Sequence, residues 1–320
     1  MPLYLTEDDV GRLLTMDACL LAVETAFADL AEGRAVNRPR SRATLPRATL
    51  HALPAASDTL ARMAAKVYAT TRGGARFVVL LFDARTSELL AIVEADRLSQ
   101  MRTGAASGVA TRRLARPEAA ILGILGTGWQ ARSQVAAIAR VRPLRSVRAF
   151  GRDAGRLAAF CAETARETGL EVIPAEDAAV AVRGADIVVT ATSSAQPVLS
   201  GAWLSPGAHL NAVGSNRADR REIDSDAVAR ASLIACDSIE QARGEAGDLI
   251  LASATGPEGP PAPLDRAVEL AAIVSGRHPG RRDPRDITLF KSLGLGIEDL
   301  YAASAVYDRA VAAGAGRPVP

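Results

Sequence analysis

Residues 119–140 read AAILGILGTGWQARSQVAAIAR. An apolar run suited to a buried strand leads straight into Gly126-Thr127-Gly128-Trp129-Gln130-Ala131, and helical spacing continues through Arg140. The turn is GxGxxA between a strand and a helix. Its first glycine permits a tight bend, its second lets backbone amides approach a pyrophosphate, and the small Ala131 allows the helix to pack closely on the strand. The helix N-terminus then faces the phosphates. A glycine turn alone is a weak signal, and the pattern of the chain beyond it decides the fold. Strand patterns at 120–125, 145–150, 170–173, 186–191, 208–213 and 232–236 alternate with helical ones, the signature of a parallel sheet covered by helices. The expectation is an α/β chain with a Rossmann-type doubly wound parallel sheet over 116–291 that binds a dinucleotide.

Beyond the second strand the sequence is Phe150-Gly151-Arg152-Asp153. An acid at this place would serve the ribose hydroxyls of NAD, whereas an arginine can meet the 2′-phosphate of NADP. Asp153 suits either a ribose contact or the N-cap of the next helix. With no acid directly before Arg152, NADP(H) is favoured over NAD(H).

The chain before this region has a different texture. A helical pattern spans Val10 to Leu30, and short β-type runs between prolines occupy 38–93, ending in the pair FVVLLFD and LLAIVEA. A helix from Leu98 to Ala115 is stopped by Pro117. This is an α+β domain with an antiparallel sheet, residues 1–115. After a Gly/Pro-rich loop at 255–263, a last helix from Ile297 to Ala312 is expected to complete that first domain through residues 292–320.

At 320 residues, 48% hydrophobic, 23% charged and 4% aromatic, the composition is that of a globular protein poor in rings for stacking bases. Thirty-eight basic residues against 36 acidic ones create no strong field for a polyanion. Nucleic acid and membrane are therefore not expected partners. Lysine occurs only at Lys66 and Lys291. Cys19, Cys161 and Cys236 lack disulfide or zinc spacing, so no metal is expected. The N-terminus shows no export pattern and apolar runs fall short of the roughly 20 residues that span a bilayer, which points to the cytoplasm. His51, His209 and His278 read as structural, and the acidic stretch Glu240–Asp248 as a solvated face.

Four blocks in order resemble the ornithine cyclodeaminase/mu-crystallin family: MRTGAAS at 101–107, GTGWQARSQ at 126–134, NAVGSN at 211–216 with Arg221-Glu222-Ile223-Asp224 after it, and DITLFKSLGLGIEDL at 286–300. The resemblance implies a two-domain fold, a homodimer contact through the first domain, and a small amino or imino acid as substrate. It assigns Arg42, Lys66, Arg102 and Leu293 to the substrate. Two guanidinium groups can clamp a carboxylate, and a lysine in an apolar segment is available for proton transfer near neutrality. Without the resemblance, Arg42 and Arg102 read as surface charges and Lys66 as a snorkelling strand residue. To the cofactor it assigns Thr103, Gly126, Thr127, Gly128, Trp129, Gln130, Gly151, Arg152, Asp153, Thr190, Thr192, Val213, Gly214, Ser215 and Ser292. Thr190 reads equally as a β-former.

One departure bears on chemistry. In the cyclodeaminases the tetrad matching VGSN ends in aspartate, but this chain has Asn216. An amide can orient a reactant and cannot take its proton. The expected function is therefore NAD(P)H-dependent reduction of an α-imino acid, or amino-acid dehydrogenation. Ornithine cyclodeamination and non-catalytic NADPH binding of the crystallin kind are the alternatives.

Overall fold

The computed structural model describes residues 1–253 and 261–319; most of the loop expected at 255–263 lies outside them. The chain divides into two compact units, Met1–Ala106 with Gly294–Pro320, and Ser107–Leu293.

In the first unit, β-patterned runs form the strands Ala48–Ser57, Arg62–Thr71, Gly74–Asp83 and Leu89–Glu94, each antiparallel to the next. The expected antiparallel sheet is present, and Leu3–Leu5 joins it parallel to Leu89–Glu94, which makes the eight-stranded sheet mixed at that strand. The helix Gly296–Ala313 packs on the strands Ala48–Ser57 and Arg62–Thr71 and on the helix Met16–Ala31. The expected single helix from Val10 to Leu30 is instead two, Glu7–Leu13 and Met16–Ala31. Thr6 closes a capping box on the first, and Thr15 accepts the Ala18 amide to start the second. Apolar spacing carries across that break, and only the side-chain caps reveal it.

The second unit has a sheet of eight strands in the order Glu171–Pro174, Ser146–Phe150, Ile121–Leu125, Ile187–Thr190, His209–Ala212, Thr288–Lys291, Leu233–Cys236 and Ala267–Glu269. Every neighbouring pair is parallel. The doubly wound fold is thus present, with two strands more than the pattern indicated. Strand order reverses beside Ile121–Leu125, which has Ser146–Phe150 on one side and Ile187–Thr190 on the other. Such a reversal opens a ligand crevice at the carboxyl ends of the strands, and the Gly126 turn lies there.

The acidic stretch Glu240–Asp248 corrects the sequence reading. Gln241, Glu245 and Asp248 are buried. Asp248 accepts the amide of Glu222 at 2.7 Å and pairs with Lys291 at 2.8 Å. The reason is Lys291 itself: a fully buried ammonium requires a counter-charge.

Candidate active site

Along the strand Arg62–Thr71, Ala64, Lys66 and Tyr68 alternate onto the buried face. Lys66 stands in register with Leu53 on one side and Val79 on the other, both buried. The ammonium thus sits in an apolar row at 2% exposure. Its Nζ lies 4.8 Å from the Phe77 ring centre and 5.7 Å from that of Tyr68, within the range of cation–π attraction. Nζ donates to Asp299 Oδ1 at 3.1 Å. Burial, aided by the nearby Arg102 charge, lowers the Lys66 pKa from 10.5 to about 7, while Asp299 works the other way.

Arg102 reaches the same oxygen. Its Nε donates to Asp299 Oδ1 at 3.0 Å and its Nη1 to Glu298 Oε2 at 2.9 Å. Burial opposes its charge, yet the two carboxylates carry its pKa above the usual value. A guanidinium has five N–H donors, and among the described residues two of them are engaged, so three remain for a ligand. Gly294 makes room for it: with φ of 77°, a Cβ there would come within 2.5 Å of Arg102 Nη1. Asp299 Oδ2 is buried without a hydrogen-bond partner among the described residues.

Arg40 is also buried, donates to the Gly294 carbonyl at 3.1 Å, and contributes its charge at Lys66. Arg42 lies on the exposed strand Ser41–Leu45 in register with His51, whose pKa its charge helps lower. The structure thus gathers Lys66 and Arg102 with Arg40, Glu298 and Asp299, three residues to which the sequence reading gave no role. The signal was available in GIEDL: two acids adjoin an otherwise apolar helix start. Thr103 donates to the Ser99 carbonyl within its own helix.

At the cofactor turn, Gly126 has φ of 110°, and a Cβ there would meet the Ala191 carbonyl at 2.4 Å. Gly128 caps the helix Trp129–Val141 without a side-chain acceptor, and a Cβ on it would meet nothing within 4 Å. Uncapped helix amides beside open space at a topological switch fit a dinucleotide pyrophosphate. Gly151 packs against Thr127, where a Cβ would come within 2.7 Å of Oγ1. Arg152 is exposed, while Asp153 caps the helix Ala154–Thr168 by accepting the Arg156 amide at 2.8 Å.

The loops after the next strands are tied together by one buried carboxylate. Glu222 accepts from the Thr190 hydroxyl at 2.9 Å, the Thr192 amide at 2.6 Å and the Gly214 amide at 2.7 Å. Burial raises its pKa, against the lowering influence of Lys291. Lys291 donates to the Ser215 carbonyl at 2.6 Å, beside Asn216, and Val213 donates to the Thr190 carbonyl. Asp237 holds the Leu293 amide and, at 3.5 Å, the Ser292 hydroxyl; the Leu293 side chain belongs to the core of this unit. The Thr190 hydroxyl hydrogen is therefore engaged inside the protein, which leaves its oxygen as an acceptor. Among the described residues no cluster of three or more His, Cys, Asp or Glu could hold a metal, and no helix is long and apolar enough to cross a membrane.

The model of the ornithine cyclodeaminase/mu-crystallin family matches residues 2–314. Delta(1)-pyrroline-2-carboxylate reductase of Bacillus cereus is 38% identical over 242 residues, 76% of this chain and 73% of the relative. The structure of Thermococcus litoralis Delta(1)-pyrroline-2-carboxylate reductase in complex with NADH and L-proline gives a TM-score of 0.94 at 34% identity, covering 99% of this chain and 100% of that one. An archaeal alanine dehydrogenase dimer with bound NAD gives 0.92 at 29% identity, covering 100% and 99%.

Proposed function

This chain belongs to the ornithine cyclodeaminase/mu-crystallin family, and from that premise we propose that it reduces the C=N bond of a cyclic α-imino acid of the pyrroline-2-carboxylate type with NAD(P)H. It is an oxidoreductase acting on carbon–nitrogen bonds, as its relatives are. The observation that carries the reading is the buried Lys66 sharing a carboxylate oxygen with Arg102, which has three N–H donors left over.

When bound, the reduced nicotinamide supplies a hydride, two electrons and one hydrogen, to the imine carbon. The π pair of C=N then resides on nitrogen, which takes one proton. Lys66 holds that proton at Nζ, and a pKa near 7 suits the exchange at neutral pH. Arg102 and Arg42 hold the substrate carboxylate, with Leu293 on the substrate side. The orphaned Asp299 Oδ2 offers an acceptor to a substrate N–H. Asn216 orients the reacting nitrogen or a water without exchanging a proton.

The dinucleotide would be held by Gly126, Thr127, Gly128, Trp129 and Gln130 at the phosphate turn, by Gly151, Arg152 and Asp153 after the second strand, and by Thr103, Thr190, Thr192, Val213, Gly214, Ser215 and Ser292, and would supply hydride to the imine carbon. NADP(H) is favoured over NAD(H), because Arg152 is exposed and Asp153 is engaged as a helix cap. The working form is a homodimer, a reading supported by the archaeal alanine dehydrogenase being a dimer, and the three buried free cysteines suit the cytoplasm.

The test is loss of absorbance at the NAD(P)H band with a panel of cyclic ketimines and of α-keto acids plus ammonia, with ornithine conversion monitored in parallel. Fast oxidation with pyrroline-2-carboxylate is expected. Efficient release of proline and ammonia from ornithine without net NAD(P)H consumption would overturn the reading and assign cyclodeamination.

A further inference from the structure

Glu298 and Asp299 are consecutive, both buried, and both bonded to Arg102. Asp299 also accepts from Lys66 Nζ, through the oxygen it shares with Arg102. We propose that the two acids divide the work: Asp299 is the positioning residue that keeps Lys66 oriented and able to carry a proton, whereas Glu298 aligns only the guanidinium of Arg102. This rests on the imine-reductase reading and deepens it.

The surroundings of Lys66 explain why one carboxylate matters so much. The strand Ala48–Ser57 presents Leu53, with His51 stacked on Tyr68, and the strand Gly74–Asp83 presents Val79 and Phe77. The helix Asp96–Leu114 brings Arg102, and Arg40 adds a second positive charge. From the helix Gly296–Ala313 come Asp299 and, bonded to Arg102, Glu298. Among these groups Asp299 is the carboxylate bonded to Lys66, and the others named are apolar, aromatic or cationic, with Glu298 one residue along the helix. Like charges and desolvation both favour loss of the lysine proton. The Asp299 carboxylate opposes them, and its shared Oδ1 fixes Nζ relative to the carboxylate-binding guanidinium. One oxygen sets the two groups in register.

Lysine scarcity makes the proposal directly readable, since ¹⁵Nζ-lysine protein shows two side-chain signals, from Lys66 and Lys291. The experiment titrates these signals by NMR in the full-length chain and measures kcat and KM against pH with the best ketimine, for wild type, Asp299→Asn, Asp299→Glu and Glu298→Gln. Losing the carboxylate in Asp299→Asn should move the Lys66 midpoint and the alkaline limb of kcat down by about 1–2 pH units. The Lys291 signal should not move. Asp299→Glu, which keeps the charge, should recover most of that shift. Glu298→Gln should leave the limb in place and raise KM by roughly tenfold, the size expected for a misaligned charge-assisted contact. An unmoved Lys66 midpoint in Asp299→Asn, or an equal movement in Glu298→Gln, overturns the division. If Asp299→Asn does not fold, a Lys66 midpoint lowered by about 1–2 pH units in Glu298→Gln, or lowered as far in Asp299→Glu, still overturns the division. The titration needs no turnover: the expected NMR shifts without ketimine reduction would support the Asp299–Lys66 pairing and overturn the reaction assigned above.

Discussion

At Lys66 and Arg102 the same carboxylate oxygen serves two side chains with different tasks, and their substitutions should fail differently. Lys66→Met removes the group that holds the proton, so kcat should fall by about 10²–10⁴ with a smaller change in KM. Arg102→Met should chiefly raise KM, by at least about tenfold to a hundredfold, since the substrate carboxylate is left desolvated without its partner. It also takes one counter-charge from each of the buried Glu298 and Asp299, the latter still paired with Lys66, so its thermal midpoint should drop as well. Steady-state and single-turnover kinetics with melting curves check all of this; a Lys66→Met enzyme with a wild-type single-turnover rate across pH 6–9 would remove the lysine from the proton step. Lys66 was legible as a candidate because lysine is so rare here and the segment around it is apolar. Asp299 was not, because its relevance depends on a partner 233 positions away, which no local pattern encodes.

Among the elements, Thr288–Lys291 shows what a short strand can conceal. Its four residues lie between His209–Ala212 and Leu233–Cys236, in the interior of the parallel sheet. A short buried run ending in lysine has neither alternation nor helix spacing, so periodicity could not assign it. The six strands at 120–236 were legible because helical stretches separate most of them, and the glycine turn because its three small positions have fixed backbone duties. Lys291 closes this strand, pairs with Asp248 at 2.8 Å and donates to the carbonyls of Ala212 and Ser215. Lys291→Met should therefore cost roughly 3–5 kcal/mol by leaving Asp248 buried and unpaired. Pairing it with Asp248→Asn should recover part of that loss, as a double-mutant cycle in urea would reveal; strict additivity would sever the two. The turn after Ser146–Phe150 carries a separate prediction. Arg152→Ala should weaken NADPH by about 1.5–3 kcal/mol and NADH much less, measured by fluorescence titration, and equal losses would place Arg152 away from the 2′-phosphate.

Over the whole molecule, each unit carries one buried histidine kept neutral, and this couples folding to mild acid. His51 stacks on Tyr68 and bonds to Thr70, while His209 bonds to Thr288 at 2.9 Å. Burial, then the charges of Arg42 and Arg40, lowers the His51 pKa from 6.5 to about 4. Burial, with the Arg281 charge, lowers that of His209 from 6.5 to about 3. Below pH 6.5 the unfolded chain takes up protons that the folded chain refuses, so the histidine contribution is complete above that pH and declines as pH falls toward those lower values. Each unit of pKa difference is worth about 1.4 kcal/mol, which amounts to several kcal/mol for the pair. Glu222 and Glu269, whose pKa values burial raises from 4.5, act in the opposite sense above that pH. The histidine share must therefore be isolated by substitution. The slope of unfolding free energy between about pH 4.5 and 6.5 should be less positive in His51→Gln, and likewise in His209→Gln, than in wild type. Identical slopes in all three proteins would mean that protonation of these rings is not what the folded chain resists.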